Sequence, residues 1–579
     1  ETCSGSPGCD KVWRMLTGLL LLPLLAAQVP AQDSRLTDLP NTDTHFSMPV
    51  YRTREAWEKR RVQLRRQILT SAGLDPMPAK NPLHAQIFGR VKTKDCTIEK
   101  VLIETMPGYY LGGNLYRPLN DTGKHPAVLN PHGHWTYGRL ENQPLYSGPN
   151  LGANLARQGY VVFAWDMVGY NDTVQTPHAF GNPAEQLWSF GPVGLQLWNS
   201  IRALDFVTAL QDVDAGRVAM TGASGGGTQT FLLAAVDDRV QFFAPVNMVS
   251  AIMQGGDVCE NAPGLRAGTN NVEIAAMIAP KPMILVAATG DWTRNTLTEE
   301  YPAIRKIYEL YGKPENLEAA MLEAPHNYNR ANREHVYRFF AKHILRSATE
   351  VREQEAEVPK LQDMLALFGR TLPAGALTYD QVFAQWKKRS PADPSSANPS
   401  SAGPKDALTR ALGVEWPAEV IGDTAALSRP DVRDRIPYTL REGRGTPALV
   451  VGGALKDAPA GRPALAVEVF GTRDRSGKHF DAFNRSDDQL RVQDILTALA
   501  WLSRKYPGAT VELIGVGTAA AVWIEFAAAV APVPVRLRGD RSAFHGTDED
   551  FLKYFNVPGI QLAGGLAAAD RLTSGMRER

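Results

Sequence analysis

The stretch Arg217 to Thr230, RVAMTGASGGGTQT, constrains this chain more than any other. Val218-Ala219-Met220 reads as a strand, Gly222-Ala223-Ser224-Gly225-Gly226 as a sharp turn, and Thr228 to Val236 as a helix. A G-x-S-x-G turn between strand and helix strains the dihedrals of its central residue. It needs small neighbours because the two elements pass close together. Such a turn lifts the Ser224 hydroxyl above the sheet edge at a helix N-terminus, where free N–H groups and the helix dipole favour a developing negative oxygen. With 50 glycines in the chain, the bare pattern arises by chance roughly a few tenths of a time. The flanking elements and the downstream partners therefore carry the reading.

A serine nucleophile needs a base, and the base needs an orienting carboxylate. Pro282 to Ala288 is a continuous apolar run of buried-strand type that leads into Thr289-Gly290-Asp291. A helix, Leu297 to Leu310, and a weaker strand, Ala319 to Glu323, follow; that strand leads into Ala324-Pro325-His326. Asp291 and His326 thus stand at carboxyl ends of strands, where reacting groups of open parallel sheets collect. The order Ser224, Asp291, His326 resembles that of the α/β-hydrolases. His335 and His343 fall on a helix, Arg333 to Leu345, in surface or packing roles. Glu260 is the alternative acid: with Asp257 it lies in the loop after the strand Phe242 to Val249, and some hydrolases of this fold take their acid there. The oxyanion hole pairs the Gly225 N–H with one from the loop after the strand Ala127 to Asn130. That loop, Pro131-His132-Gly133-His134-Trp135, resembles an HG-type oxyanion loop, with His134 or Trp135 as donor. His132 and His134 suggest a metal, but no third ligand accompanies them at a familiar spacing, so neither metal nor cofactor is expected.

From Ala127 onward strands and helices alternate, which predicts a mostly parallel sheet with helices on both faces. Arg54 to Leu69 reads as an amphipathic helix and residues 86–118 as antiparallel strands leading into the sheet. The segment Asp172 to Gly191 is long and aromatic-rich and is expected to border the cleft. A net charge of +1 makes no electrostatic case for nucleic acid or an anionic membrane. Leu16 to Ala27 is apolar, follows Lys11 and Arg14, and precedes Val29-Pro30-Ala31. Residues 1–31 therefore read as a signal peptide, with Met15 as an alternative start, giving a secreted or periplasmic protein with no stable membrane anchor after cleavage. Cys96 and Cys259 remain in the mature chain, and their pairing stays open.

Residues 35–345 form the expected catalytic unit, and 346–404 read as a helical, then Pro/Ser-rich linker. Residues 405–579 repeat the first plan. A strand, Pro463 to Phe470, and a helix, Val492 to Arg504, lead to the strand Val511 to Ile514, then Gly515-Val516-Gly517-Thr518-Ala519 and a helix, Ala520 to Val530. Gly517 stands where a nucleophile would be, so this half is expected to be hydrolase-like but non-catalytic, and His545 to be structural. An unrelated α/β unit is the alternative.

Four stretches carry a family resemblance: Met106 to Pro118 (MPGYYLGGNLYRP), the Ser224 elbow, Cys259-Glu260-Asn261-Ala262-Pro263, and Gly290-Asp291-Trp292-Thr293 with His326-Asn327-Tyr328-Asn329. They resemble secreted bacterial α/β-hydrolases labelled acetylxylan-esterase-like, over most of residues 50–345. The resemblance implies a serine carboxylic-ester hydrolase without a cofactor, with a small-molecule or carbohydrate ester as substrate, plant-polysaccharide decorations among the candidates. Gly225 follows the serine where cephalosporin/xylan deacetylases carry glutamine and glucuronoyl esterases arginine. Trp135, Trp188 and Trp292 flank the motifs, as sugar-stacking surfaces or as cavity-wall packing. A peptidase-like acyl hydrolase and a non-catalytic binding protein are the other readings.

Overall fold

The computed structural model describes residues 28–119, 123–391 and 403–577. The apolar stretch ending at Ala27 and most of the Pro/Ser-rich segment lie outside the described residues.

Nine strands make the first sheet: β1 Gln86–Lys92, β2 Cys96–Met106, β3 Tyr109–Pro118, β4 His125–Pro131, β5 Val161–Trp165, β6 Val213–Ala223, β7 Phe242–Val246, β8 Met283–Gly290 and β9 Leu317–Pro325. Their spatial order is β1-β2-β3-β5-β4-β6-β7-β8-β9. The pairs from β1 to β5 are antiparallel, and all pairs from β5 to β9 are parallel. The central strands read as unbroken apolar runs because each feeds two cores. In β5, Val161, Phe163 and Trp165 enter one core while Val162 and Ala164 enter the other. Only a sheet covered on both faces asks for that pattern. The covering helices include α1 Arg54–Ser71, α2 Pro192–Thr208, α3 Gly225–Val236 and α4 Arg330–Phe340. This is the mostly parallel α/β-hydrolase sheet.

Seven strands make a second sheet: β10 Ile421–Gly422, β11 Ala426–Ser428, β12 Ile436–Arg441, β13 Ala448–Val451, β14 Ala464–Val467, β15 Val511–Gly515 and β16 Val535–Gly539. Their order, β10-β11-β12-β14-β13-β15-β16, copies that of the first seven strands. Directions match too: antiparallel up to β14, parallel beyond. The helices α5 Asp487–Lys505 and α6 Thr518–Val530 flank β15 as α2 and α3 flank β6. No counterparts of β8 and β9 close this sheet among the described residues.

Residues 346–378 are less helical than their composition suggests. Residues 346–360 have no helix, a single α-helical turn follows at Leu361–Met364, and turns at 366–369 and 374–375 complete the segment. Side chains there hold their backbone and replace the helix ladder. Asn154 bonds both the N–H and the C=O of Gln354 (2.9 Å each), and Asp172 accepts from the N–H groups of Ala366 and Leu367 (2.8 Å each). A helix, Tyr379–Lys387, then inserts Val382 and Trp386 into the first core.

Candidate active site

Strand β6 delivers Ser224 to the N-terminus of α3 with φ 57° and ψ −124°, a conformation L-residues seldom adopt. The Ser224 N–H donates to the Val246 carbonyl at 3.1 Å, and its carbonyl accepts from Thr228 at 3.0 Å. Close approach explains the flanking glycines. A Cβ on Gly222 would stand 2.5 Å from the Pro131 carbonyl oxygen, and one on Gly133 would stand 2.6 Å from that of Ala223 and 2.9 Å from Ser224 Cβ. The loop after β4 and the serine turn thus pack backbone on backbone.

Asp291 follows β8 and is 8% exposed. Its Oδ1 accepts from the Thr293 N–H (2.7 Å) and hydroxyl (2.5 Å), and its Oδ2 lies 2.8 Å from His326 Nδ1. A carboxylate on Nδ1 holds the proton there and leaves the lone pair on Nε2. Nε2 is buried without a hydrogen-bond partner. The His326 ring sits between two indoles, with centroids 4.3 Å from Trp292 and 6.2 Å from Trp135. Ser224, His326, Trp135 and Trp292 line one cavity of about 390 Å³, together with His134, Asp257, Glu260 and Lys478.

Glu260 is committed to its own loop and to α3. One oxygen accepts from the N–H groups of Gly256 (2.7 Å) and Asp257 (3.3 Å), the other from the Thr228 hydroxyl (3.3 Å). The carboxylate that meets His326 is that of Asp291. Two expectations need correction. The Trp135 N–H donates to the Gly133 carbonyl at 2.9 Å, which turns it into its own loop and leaves Gly225 and His134 as candidate oxyanion donors. Trp188 is not among the residues lining the cavity. Its indole N–H donates to both oxygens of Asp548 (3.0 and 3.2 Å), and its ring packs against the cores of both halves. The aromatic-rich loop therefore serves the seam between the sheets at this point.

His132 is a neutral strut. Burial pushes its pKa down to about 3, its Nδ1 donates to the Gly133 carbonyl (2.7 Å), and its Nε2 accepts from the Met167 N–H (2.9 Å). Cys96 and Cys259 are both free and buried. Three residues at the site escaped the sequence reading. Thr293 had a usable signal, since Asp-x-Thr readily forms a side-chain turn. His178, with Nε2 3.1 Å from that of His134, lies in the segment expected to border the cleft, whereas Lys478 had no signal because long-range packing brings it in.

No protein-family model matches the chain. Methylesterase BT1017 is similar in structure, with a TM-score of 0.52 and 28% identity, covering 58% of this chain and 76% of that one. YtaP of Bacillus subtilis (strain 168), provisionally named a hydrolase, is 25% identical over 269 residues, 42% of this chain and 86% of its own length. A glucuronoyl esterase from Solibacter usitatus aligns with a TM-score of 0.40 at 16% identity, over 54% of this chain and 98% of that one. Its sheet order and serine turn give the chain the α/β-hydrolase fold, and its structure is similar to that of the methylesterase.

Proposed function

We propose that this chain is an exported serine carboxylic-ester hydrolase acting on a carbohydrate ester through Ser224, His326 and Asp291. One observation carries the reading: His326 is held by Asp291 at 2.8 Å while its unpartnered Nε2 shares a cavity with the strained Ser224. His326 takes the Ser224 proton as the hydroxyl oxygen attacks the ester carbonyl, and Asp291 stabilises the imidazolium. The N–H groups of Gly225 and His134 hold the oxyanion; removing one such donor costs ~10²–10³ in rate. The alcohol leaves with the proton from His326. Water, deprotonated by His326, then releases the acid. Apo hydrogen bonds of this kind often tighten only with substrate bound.

The likeness to a methylesterase supports methyl esters beside acetyl esters as candidates. The exposed Lys478 at the cavity rim adds a cation suited to an acidic carbohydrate. The second half is read as non-catalytic: Gly517 (φ 86°) caps α6 where Ser224 caps α3, with no side chain to attack. The export reading rests on residues 1–31. No helix among the described residues is long and apolar enough to cross a membrane.

The test compares the full chain with Ser224→Ala, Asp291→Asn and Glu260→Gln on p-nitrophenyl acetate, acetylated xylo-oligosaccharides and methyl-esterified uronides. Loss of turnover in the first two, with Glu260→Gln retaining most of it, is expected. A folded wild type inactive on every ester, or one preferring aminoacyl amides, would overturn the reading.

A further inference from the structure

Three loops at the carboxyl end of the first sheet bring four ligand-type side chains together beside Ser224. They are His134 after β4, His178 in the long loop after β5, and Asp257 and Cys259 after β7. Their donor atoms all lie within 4.8 Å of one another. His134 Nε2 is the hub, 3.0 Å from Cys259 Sγ, 3.1 Å from His178 Nε2 and 3.6 Å from Asp257 Oδ2. No spacing along the chain announces this set, and His132 is not part of it; the expectation of no third ligand looked only at neighbours in sequence.

We propose that these four residues form a binding site for a soft divalent cation of the zinc type. Hydrogen bonding alone uses the arrangement poorly. One N–H at His134 Nε2 faces three heteroatoms, and His178 presents a lone pair there because its Nδ1 donates to the Val168 carbonyl at 2.7 Å. A carbonyl on the far nitrogen is the usual partner that orients a metal-ligating histidine. Two neutral imidazoles, one carboxylate and one thiolate sum to −2, which neutralises a divalent ion. Donor separations in a filled tetrahedral site are roughly 3.3–3.6 Å for zinc–nitrogen and zinc–sulfur bonds of ordinary length. The 3.0 and 3.1 Å hub distances need to open by roughly 0.3–0.5 Å, and the 3.6 Å distance to Asp257 already fits. Cys259 is 2% exposed, and an ordinary thiol carries a proton at neutral pH. Binding forms the metal–sulfur bond and releases that proton to solvent. His134 and Asp257 also line the Ser224 cavity. The ion would therefore tie the loop bearing the His134 N–H to the loops after β5 and β7. The four residues act as ligands and positioning groups, independently of whether the serine reacts with an ester.

The experiment is cobalt substitution of the full, tag-free chain after dialysis against a chelator, followed by displacement with zinc. One equivalent of Co²⁺ is expected to give a near-ultraviolet sulfur-to-cobalt charge-transfer band and intense tetrahedral visible bands, both abolished by one equivalent of Zn²⁺. Cys259→Ser should lose the charge-transfer band. His178→Gln, which leaves the sulfur in place, should weaken Zn²⁺ at least tenfold in a chelator competition while keeping the band at high Co²⁺. Circular dichroism checks that both variants are folded; if Cys259→Ser is not, His178→Gln alone decides. Absence of a band in the wild type, or wild-type zinc affinity in His178→Gln, would overturn the proposal. Neither readout depends on ester hydrolysis.

Discussion

A hydroxyl becomes useful only where the backbone holds it, and at Ser224 the backbone does so at a cost in strain. The φ of 57° is stabilised by the packing of Gly222 and Gly133 against the turn, so these glycines matter as much as the serine. Ser224→Ala keeps the turn and removes the proposed nucleophile. Turnover of p-nitrophenyl acetate should fall by roughly 10⁴-fold or more, with an unchanged thermal melting curve. Gly133→Ala is the complementary change. Its methyl would enter space held by the Ala223 carbonyl oxygen at 2.6 Å, so backbone must move. A displacement of about 1 Å costs on the order of 10² in rate, and steady-state kinetics should show it in kcat while the folded fraction stays high. Much of this was legible in the chain. Ser224, Asp291 and His326 each follow an apolar run, and local pattern reveals strand ends. What the pattern left open was the choice between Asp291 and Glu260, because a capping carboxylate and a histidine-orienting carboxylate look alike until partners are known. The place of Trp188 depended on Asp548, 360 residues away.

Elements are pinned by single buried charges, and two of these set measurable limits. Asp172 receives the Ala366 and Leu367 N–H groups and pairs with Arg139 at 2.5 Å; the Arg139 side chain is fully buried. Asp172→Ala strips two backbone groups and weakens the compensation of a buried cation that Asp166 shares. Breaking such a pair costs about 3–5 kcal/mol, readable as a lowered urea midpoint. Glu300 starts the helix Glu300–Leu310, and its Oε1 accepts from the Ala251 N–H at 2.8 Å while Oε2 is buried without a partner. Burial raises its pKa from 4.5 to about 7. Between those values the folded chain holds a proton that the unfolded chain has lost. Stability therefore falls as pH rises from about 4.5 to 7 and this contribution is flat above. Glu300→Gln keeps an acceptor for Ala251 and cannot ionise, so this slope, about 3 kcal/mol at most, should vanish from the pH series of unfolding free energies. Periodicity gives the helix around Glu300 as Leu297 to Leu310, with the right end but a start three residues too early. The extended path of residues 346–360 was not legible, because side chains of a distant segment satisfy its backbone.

At the scale of the molecule, the two sheets are one plan executed at two lengths. The first continues past its seventh strand to β8 and β9, the strands that lead into Asp291 and His326; among the described residues the second has no strand beyond β16. The proposed loss of catalysis in the second half starts at Gly517, which has no side chain to attack. The halves also share structure. Leu187 lies in the second core although it belongs to the first half by sequence, Arg35 reaches Asp494 at 2.6 Å, and the Gly264 N–H donates to the Asp481 carbonyl at 2.8 Å. These contacts predict how truncations behave. A fragment ending at residue 345 lacks Met364, Val382 and Trp386, which complete the first unit's two cores. Exposing a fully buried tryptophan site and two aliphatic ones forfeits about 1.5–3 kcal/mol per side chain, a large part of a stability of ordinarily 5–15 kcal/mol. Residues 28–345 should be insoluble or melt without a cooperative transition. Residues 28–391 keep both cores and should melt cooperatively, below the full chain, because Leu187 and Trp188 then face water. Differential scanning calorimetry of the three proteins decides it. A cooperative transition in 28–345 at the temperature of 28–391 would show that the strap after Leu345 is an ornament rather than a part of the core.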